Sequence, residues 1–118
     1  MTSVLKKPIG SRPTQVELLT SPVNVTNDTT VTVNDDLRKY SAIVLLFSPI
    51  TENNATKYMA VATTPRGLGL GAWYSLGNDS ISGHVRLNAT STTIRVISNV
   101  WDNAMLSALY LRQVYGVV

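Results

Sequence analysis

The chain has 118 residues, no cysteine and a net charge of +3 from ten basic and seven acidic residues. That length fits one domain with one buried core. The missing cysteines exclude a disulfide framework and a thiolate zinc site, and frequent Thr, Val, Ser and Asn favour strands and turns over helices.

Residues 1–15 read as an extended arm ahead of a domain over 16–118. Pro8, Gly10 and Pro13 stand too close together for a helix or a central strand. Lys6, Lys7 and Arg12 are the only charges before Glu17, and from Glu17 onward seven basic residues balance seven acidic ones. The arm therefore carries the whole excess. Lys6, Lys7 and Arg12, with Ile9 as an apolar anchor, are its candidate docking residues on an acidic surface. The plainer alternative is a solvated tail. The opening Met-Thr-Ser-Val-Leu-Lys-Lys-Pro has no apolar h-region, so no signal peptide is expected.

The domain begins with a short strand over Val16–Leu19, stopped by Thr20-Ser21-Pro22. Val23 and Val25 alternate with Asn24 and Thr26. Thr29–Val33 alternates cleanly, placing Val31 and Val33 on one face. Asn34-Asp35-Asp36 is turn chemistry, and Leu37–Tyr40 leads on through a helical turn or a bulge. Ser41–Phe47 (Ser-Ala-Ile-Val-Leu-Leu-Phe) is the longest unbroken apolar run. It is far short of the roughly 20 residues of a membrane span, and it reads as the central strand, buried on both faces. Ile50–Thr56 is a polar loop, and Lys57–Thr63 returns as the partner of a hairpin. Thr64–Leu70 is irregular. Gly71–Leu76 is an aromatic strand, Gly77-Asn78-Asp79 a turn, and Ile81–Leu87 a strand weakened by Gly83. Thr92–Val100 is a long strand with Ile94, Val96 and Ser98 on one face. Asp102–Ala108 closes as a loop or a single helical turn. Leu106–Val114 is the last strand; a helix over Asp102–Val114 is the alternative, and Tyr110, Val114 and Tyr115 favour the strand. Strands this short, with turn signals every ~8–12 residues, predict an all-β antiparallel β-sandwich, jelly-roll-like, with an extended N-terminal arm.

Candidate chemistry is sparse. His84 is the only histidine. Ser82 and Asp79 are near it in sequence, but residues two apart on a strand share a face and do not aim at one another as a triad requires. Arg66-Gly67-Leu68-Gly69-Leu70-Gly71 has neither the spacing nor the following helix of a phosphate cradle. Arg66, Gly67 and Gly69 are instead candidates for a contact loop. Trp73 and Tyr74 cannot both point inward, and Tyr74 is taken as the outward one. Trp101, beside Asp102-Asn103, reads as a loop aromatic and contact candidate. The acids are scattered through turns, with no calcium loop and no carboxylate pair for glycoside hydrolysis. Five Asn-x-Ser/Thr sequons, at Asn24, Asn27, Asn54, Asn78 and Asn88, read as turn composition. No catalytic residue, cofactor or metal is expected.

From Leu37 onward the chain carries Leu-Arg-Lys-Tyr-Ser-Ala-Ile-Val-Leu-Leu-Phe, a second apolar strand, an aromatic strand, Gly-His-Val-Arg-Leu, Thr-Thr-Ile-Arg-Val and a terminal Leu-Tyr-Leu-Arg-Gln-Val-Tyr-Gly-Val. This order resembles the small β-sandwich domains at the C-termini of bacteriophage tail fibre and tail tip proteins. The resemblance is one of strand pattern and transfers no functional residue. It implies a non-enzymatic virion protein, made in the host cytoplasm and commonly trimeric, with other capsid or tail proteins as partners and a host-surface glycan as a target of its loops. The short arm in place of a long shaft equally fits a decoration protein clamped on a capsid or tail. A free carbohydrate-binding module using Trp101 and the Gly-rich loop is the alternative. A nucleic-acid binder ranks last, because three arm charges supply only weak, salt-sensitive affinity.

Overall fold

The computed structural model describes residues 14–26, 28–49, 58–77, 82–101 and 109–118. Among them are nine strands: β1 (Gln15–Glu17), β2 (Val23–Asn24), β3 (Thr29–Thr32), β4 (Ala42–Pro49), β5 (Met59–Thr63), β6 (Trp73–Gly77), β7 (Ser82–Ala89), β8 (Thr93–Trp101) and β9 (Leu109–Val117). A 3-10 turn covers Leu37–Lys39, and one helical turn, α1, covers Pro65–Leu68. The strands form two antiparallel sheets packed face to face. The first runs β1–β9–β4–β5, with β2 also on β9, and the second runs β3–β8–β7–β6. The chain is an all-β sandwich. Among the described residues no helix is long and apolar enough to cross a membrane.

The predicted central strand lies inside its sheet, between β9 and β5. Ile43, Leu45 and Phe47 point inward with no exposure at all. Burial on both faces is not what this chain shows, because Ala42, Val44 and Leu46 point outward and are only half-buried. The run is unbroken because both faces of the strand are apolar. Across the sandwich, Val85, Leu87, Ile94 and Val96 of the second sheet are buried to 1% exposure or less, and they complete one core. Val31 and Val33 join it as the alternation predicted.

Three elements differ from expectation for local reasons. The first strand stops at Glu17; the Leu18 amide still donates to the Val114 carbonyl of β9 at 2.8 Å, Leu19 leaves the ladder, and both side chains enter the core. The side chain of Gln113 replaces the missing rung: the Leu19 amide donates to Gln113 Oε1 at 2.8 Å, and Gln113 Nε2 donates to the Leu19 carbonyl at 3.2 Å. Such a β-bulge re-aims side chains. Here the register between β9 and β4 skips Arg112, whose Nε donates to the buried Ser48 hydroxyl and whose guanidinium lies 4.8 Å from the Tyr110 ring centre. A second bulge falls in β8, where Val96 faces Leu87 but Ser98 faces Arg86. The extra residue, Ile97, reverses the alternation. Ser98 therefore does not continue the Ile94–Val96 face, and Asn99 turns towards Thr26, donating to its carbonyl at 2.7 Å.

The last strand extends past its expected end. Tyr115, Gly116 and Val117 pair with both β1 and β4. Gly116 is required there, since a Cβ at that position would sit 2.6 Å from the ring of Tyr40. Of the expected arm over 1–15, residues 1–13 lie outside the described residues; Gln15 is a strand residue, and the Thr14 carbonyl accepts a hydrogen bond from the Val118 amide at 2.9 Å. The loops expected at Ile50–Thr56 and Asp102–Ala108 fall outside the described residues, as do Asn78 and Asp79 of the turn expected at Gly77-Asn78-Asp79.

Candidate functional site

Three connections meet at one end of the sandwich and enclose a cleft. The first is the 3-10 turn. Asp36 caps it, accepting from the Arg38 amide at 2.9 Å. The same carboxylate takes Arg38 Nε at 3.0 Å and Nη2 at 2.8 Å. Three charge-assisted bonds hold Asp36 down to a pKa of about 2, with the Arg38 side chain the main cause. Asp35 accepts from the Tyr40 hydroxyl at 2.7 Å and from Lys39 Nζ at 3.0 Å. These bonds lower the Asp35 pKa, and the carboxylate raises that of Tyr40. The turn is fixed to its neighbour by the Leu37 amide, which donates to the Ser91 carbonyl at 2.7 Å.

The second connection is α1, which replaces the irregular loop expected over Thr64–Leu70. Thr64 caps it by accepting from the Gly67 amide at 3.0 Å, and Pro65 at the first position has no amide left unpaired. Leu68, fully buried, plugs the turn into the core. Gly71 follows with φ of 68°, a conformation that favours glycine, and its carbonyl accepts from Arg86 Nε at 2.8 Å. The third connection is the turn after β7. There the hydroxyls of Thr90 and Thr93 lie 2.6 Å apart, and Thr90 Oγ1 also accepts from the Thr93 amide at 3.1 Å.

The cleft between these three turns has a volume of about 540 Å³. Its floor is Leu37, Pro65, Ala89 and Tyr40, and its polar rim is Arg38, Arg66, Thr64, Thr90 and Ser91. Arg66 is exposed, and its side chain makes no hydrogen bond or ion pair with the described residues, while its carbonyl accepts from the Gly69 amide at 3.2 Å. A smaller cleft of about 200 Å³ lies on the other side of Thr90 and includes Arg95. Arg95 is committed to Asp28, with bonds of 2.8 and 2.6 Å.

The structure thus places Arg66 on a cleft wall, and Gly67 and Gly69 in and just after a capped helical turn. The aromatic pair is reversed from expectation. Tyr74 is half-buried and packs against the core, with its hydroxyl 3.3 Å from Thr63 Oγ1, while Trp73 faces solvent at 50% exposure. The strand starts two residues later than Gly71, and Leu76, fixed inward, dictates that Tyr74 follow it. Trp101 is the last residue of β8, opposite Gly83, and so is not a loop residue by its backbone; its side chain lies outside the described residues. Lys6, Lys7, Ile9 and Arg12 lie outside them too. His84 is exposed on β7, opposite Ser75 and Val100. Among the described residues no cluster of three or more His, Asp or Glu could hold a metal ion. Arg38 and Ser91 were not legible as site residues, because only the fold brings positions 38, 66 and 91 to one cleft.

Neither a family model nor a curated protein matches this chain.

Proposed function

We propose that the protein is a non-enzymatic structural component of a bacteriophage particle, working as a homo-oligomer through the outer face of its first sheet. The observation that carries this reading is that face itself. Ala42, Val44 and Leu46 of β4 stand beside Ala60 and Ala62 of β5 and Tyr115 of β9. All six are half-buried or exposed, and none is charged. A sandwich that only had to be soluble would alternate apolar with polar here. This patch of small and apolar side chains, bordered by Glu17 beside Tyr115 and by Arg112 over the Tyr110 ring, packs against a second copy of itself with the charges kept at its margin. The resemblance to tail fibre and tail tip domains supplies the setting and favours a trimer. Attachment through the arm, by Lys6, Lys7, Ile9 and Arg12, belongs to the same proposal.

The test is the copy number per particle, by quantitative mass spectrometry of purified virions. A capsid or tail-tube decoration protein gives copies in the hundreds, and a tail-tip adhesin gives a few to a few tens. Absence from particles overturns the reading and brings forward a free carbohydrate-binding module.

A further inference from the structure

We infer that the cleft between the 3-10 turn, α1 and the turn after β7 binds the carboxylate of an acidic sugar, with Arg66 as its charge partner. The Arg66 guanidinium reaches the rim with no partner among the described residues, and its planar fork matches a carboxylate in two parallel bonds. Arg38 stands on the same rim. It gives Nε and one Nη2 hydrogen to Asp36, which leaves three N–H groups for a ligand. The charges around the cleft decide the kind of anion. Asp36 offsets Arg38 and Asp35 offsets Lys39, so the net excess is the single charge of Arg66. A monoanion is matched. A phosphate dianion would bring a second negative charge beside Asp35 and Asp36 with nothing to answer it.

The remaining lining favours a sugar over a bare carboxylate. Thr64 Oγ1 accepts from Gly67 but keeps its own hydrogen to donate. The Ser91 hydroxyl makes no hydrogen bond with the described residues. Between these polar groups, Pro65, Ala89 and the Tyr40 ring offer an apolar floor for the C–H face of a pyranose. A volume of about 540 Å³ lies within the ~300–1,000 Å³ of small-molecule clefts. The walls are tied by the Leu37–Ser91 bond and by the buried Leu68, so the site is formed before a ligand arrives.

The inference stands apart from the virion reading: a protein absent from particles can still bind the sugar, and a particle protein can fail to. The experiment is a chemical-shift titration of the purified chain with glucuronate, glucose, acetate and inorganic phosphate, each separately. Glucuronate should give saturable shifts at Arg66, Thr90 and Ser91, with glucose and acetate each weaker by about tenfold or more, and phosphate weaker than glucuronate. Arg66→Ala should weaken glucuronate by about tenfold or more, with an unchanged melting temperature, whereas Arg95→Ala in the neighbouring cleft should leave binding as it was. Glucuronate binding that survives Arg66→Ala overturns the proposal, as does no binding to the wild-type chain. Acetate equal to glucuronate removes the sugar, and phosphate tighter than glucuronate removes the carboxylate.

Discussion

The two sheets share one core but present opposite outer faces. The first sheet turns Ala42, Val44, Leu46, Ala60, Ala62 and Tyr115 outward. The second turns out Thr30 with Arg95, His84 with Ser75, and Arg86 with Trp73. On the second sheet the aliphatic stems of arginine cover neighbouring surface while their charges stay in water. Arg95 holds the start of β3 through Asp28, and Arg86 holds the loop before β6 through Gly71. Its outer charges are used to fasten the sheet's own edges. The first sheet fastens its edge by the Gln113 amide and, on its inner side, by the Gly116–Tyr40 contact. The outward Ala42, Val44, Leu46, Ala60 and Ala62 take no part in this fastening, and the proposed assembly contact is placed on them.

The shared core sets the largest effect. Phe47→Ala should destabilise the fold by about 3–5 kcal/mol in denaturant titration, since the ring is fully buried. An effect under about 1 kcal/mol would mean that the sheets do not share the core described. Next comes the fastening of the first sheet. Gly116→Ala forces a Cβ against the near side of the Tyr40 ring, which cannot swing clear by rotating its tip. Overpacking of this kind should lower stability by about 1–3 kcal/mol, and Gly116→Ala combined with Tyr40→Ala should not be additive with the two single changes. Gln113→Leu leaves the Leu19 amide and carbonyl without their side-chain partner, and the loss should be about 1–3 kcal/mol.

The outer faces should separate stability from association. Leu46→Glu is expected to change folding stability little, within about 0.5–1 kcal/mol, and to convert the oligomer to monomer in sedimentation velocity. Trp73→Glu on the second sheet should leave the oligomer intact. The reverse result would move the assembly face to the other sheet. The smallest effect is the acid response. Asp28, Asp35 and Asp36 all titrate lower when folded than when unfolded. Their contribution is therefore complete above about pH 4 and is lost as pH falls through the folded values, which for Asp36 is about 2. Asp36→Asn should flatten the fall in melting temperature between about pH 4 and pH 2. An unchanged slope would show that the capping bonds do not couple to folding.

The sandwich was legible because its inward positions alternate or run unbroken: Val31 with Val33, and Ile43, Leu45 and Phe47. The bulges at Arg112 and Ile97 were not, since a single extra residue leaves no compositional mark, yet each reverses every side chain beyond it. That is how Ser98 changed face. The central strand misled in a different way. A run apolar on both sides was read as buried on both sides, but sequence cannot say whether the second cover comes from the same chain. Of the site, Arg66 was legible as the charged residue of a glycine-rich connection. Its companions were not, because Arg38 sits in a turn whose aspartates had already been explained as turn chemistry. Thr64, Thr90 and Ser91 were likewise ordinary loop residues until the fold placed them together.

The position of β9 has a kinetic consequence. It is the last described strand in sequence, yet it lies between β4 and the N-terminal pair β1 and β2. While the chain is being synthesised, β4 has one neighbour, β5, and its other edge stays open until Leu109–Val117 emerges. Glu17 and Tyr115, nearly a chain length apart, must then meet, a long loop closure of the kind that slows folding. During that interval the most apolar strand of the protein offers an unpaired edge to other nascent copies. Neighbouring chains translated from one message would meet at that edge before the native pairing is complete, so yield on expression should depend on synthesis rate more steeply than the stability of the finished sandwich would indicate.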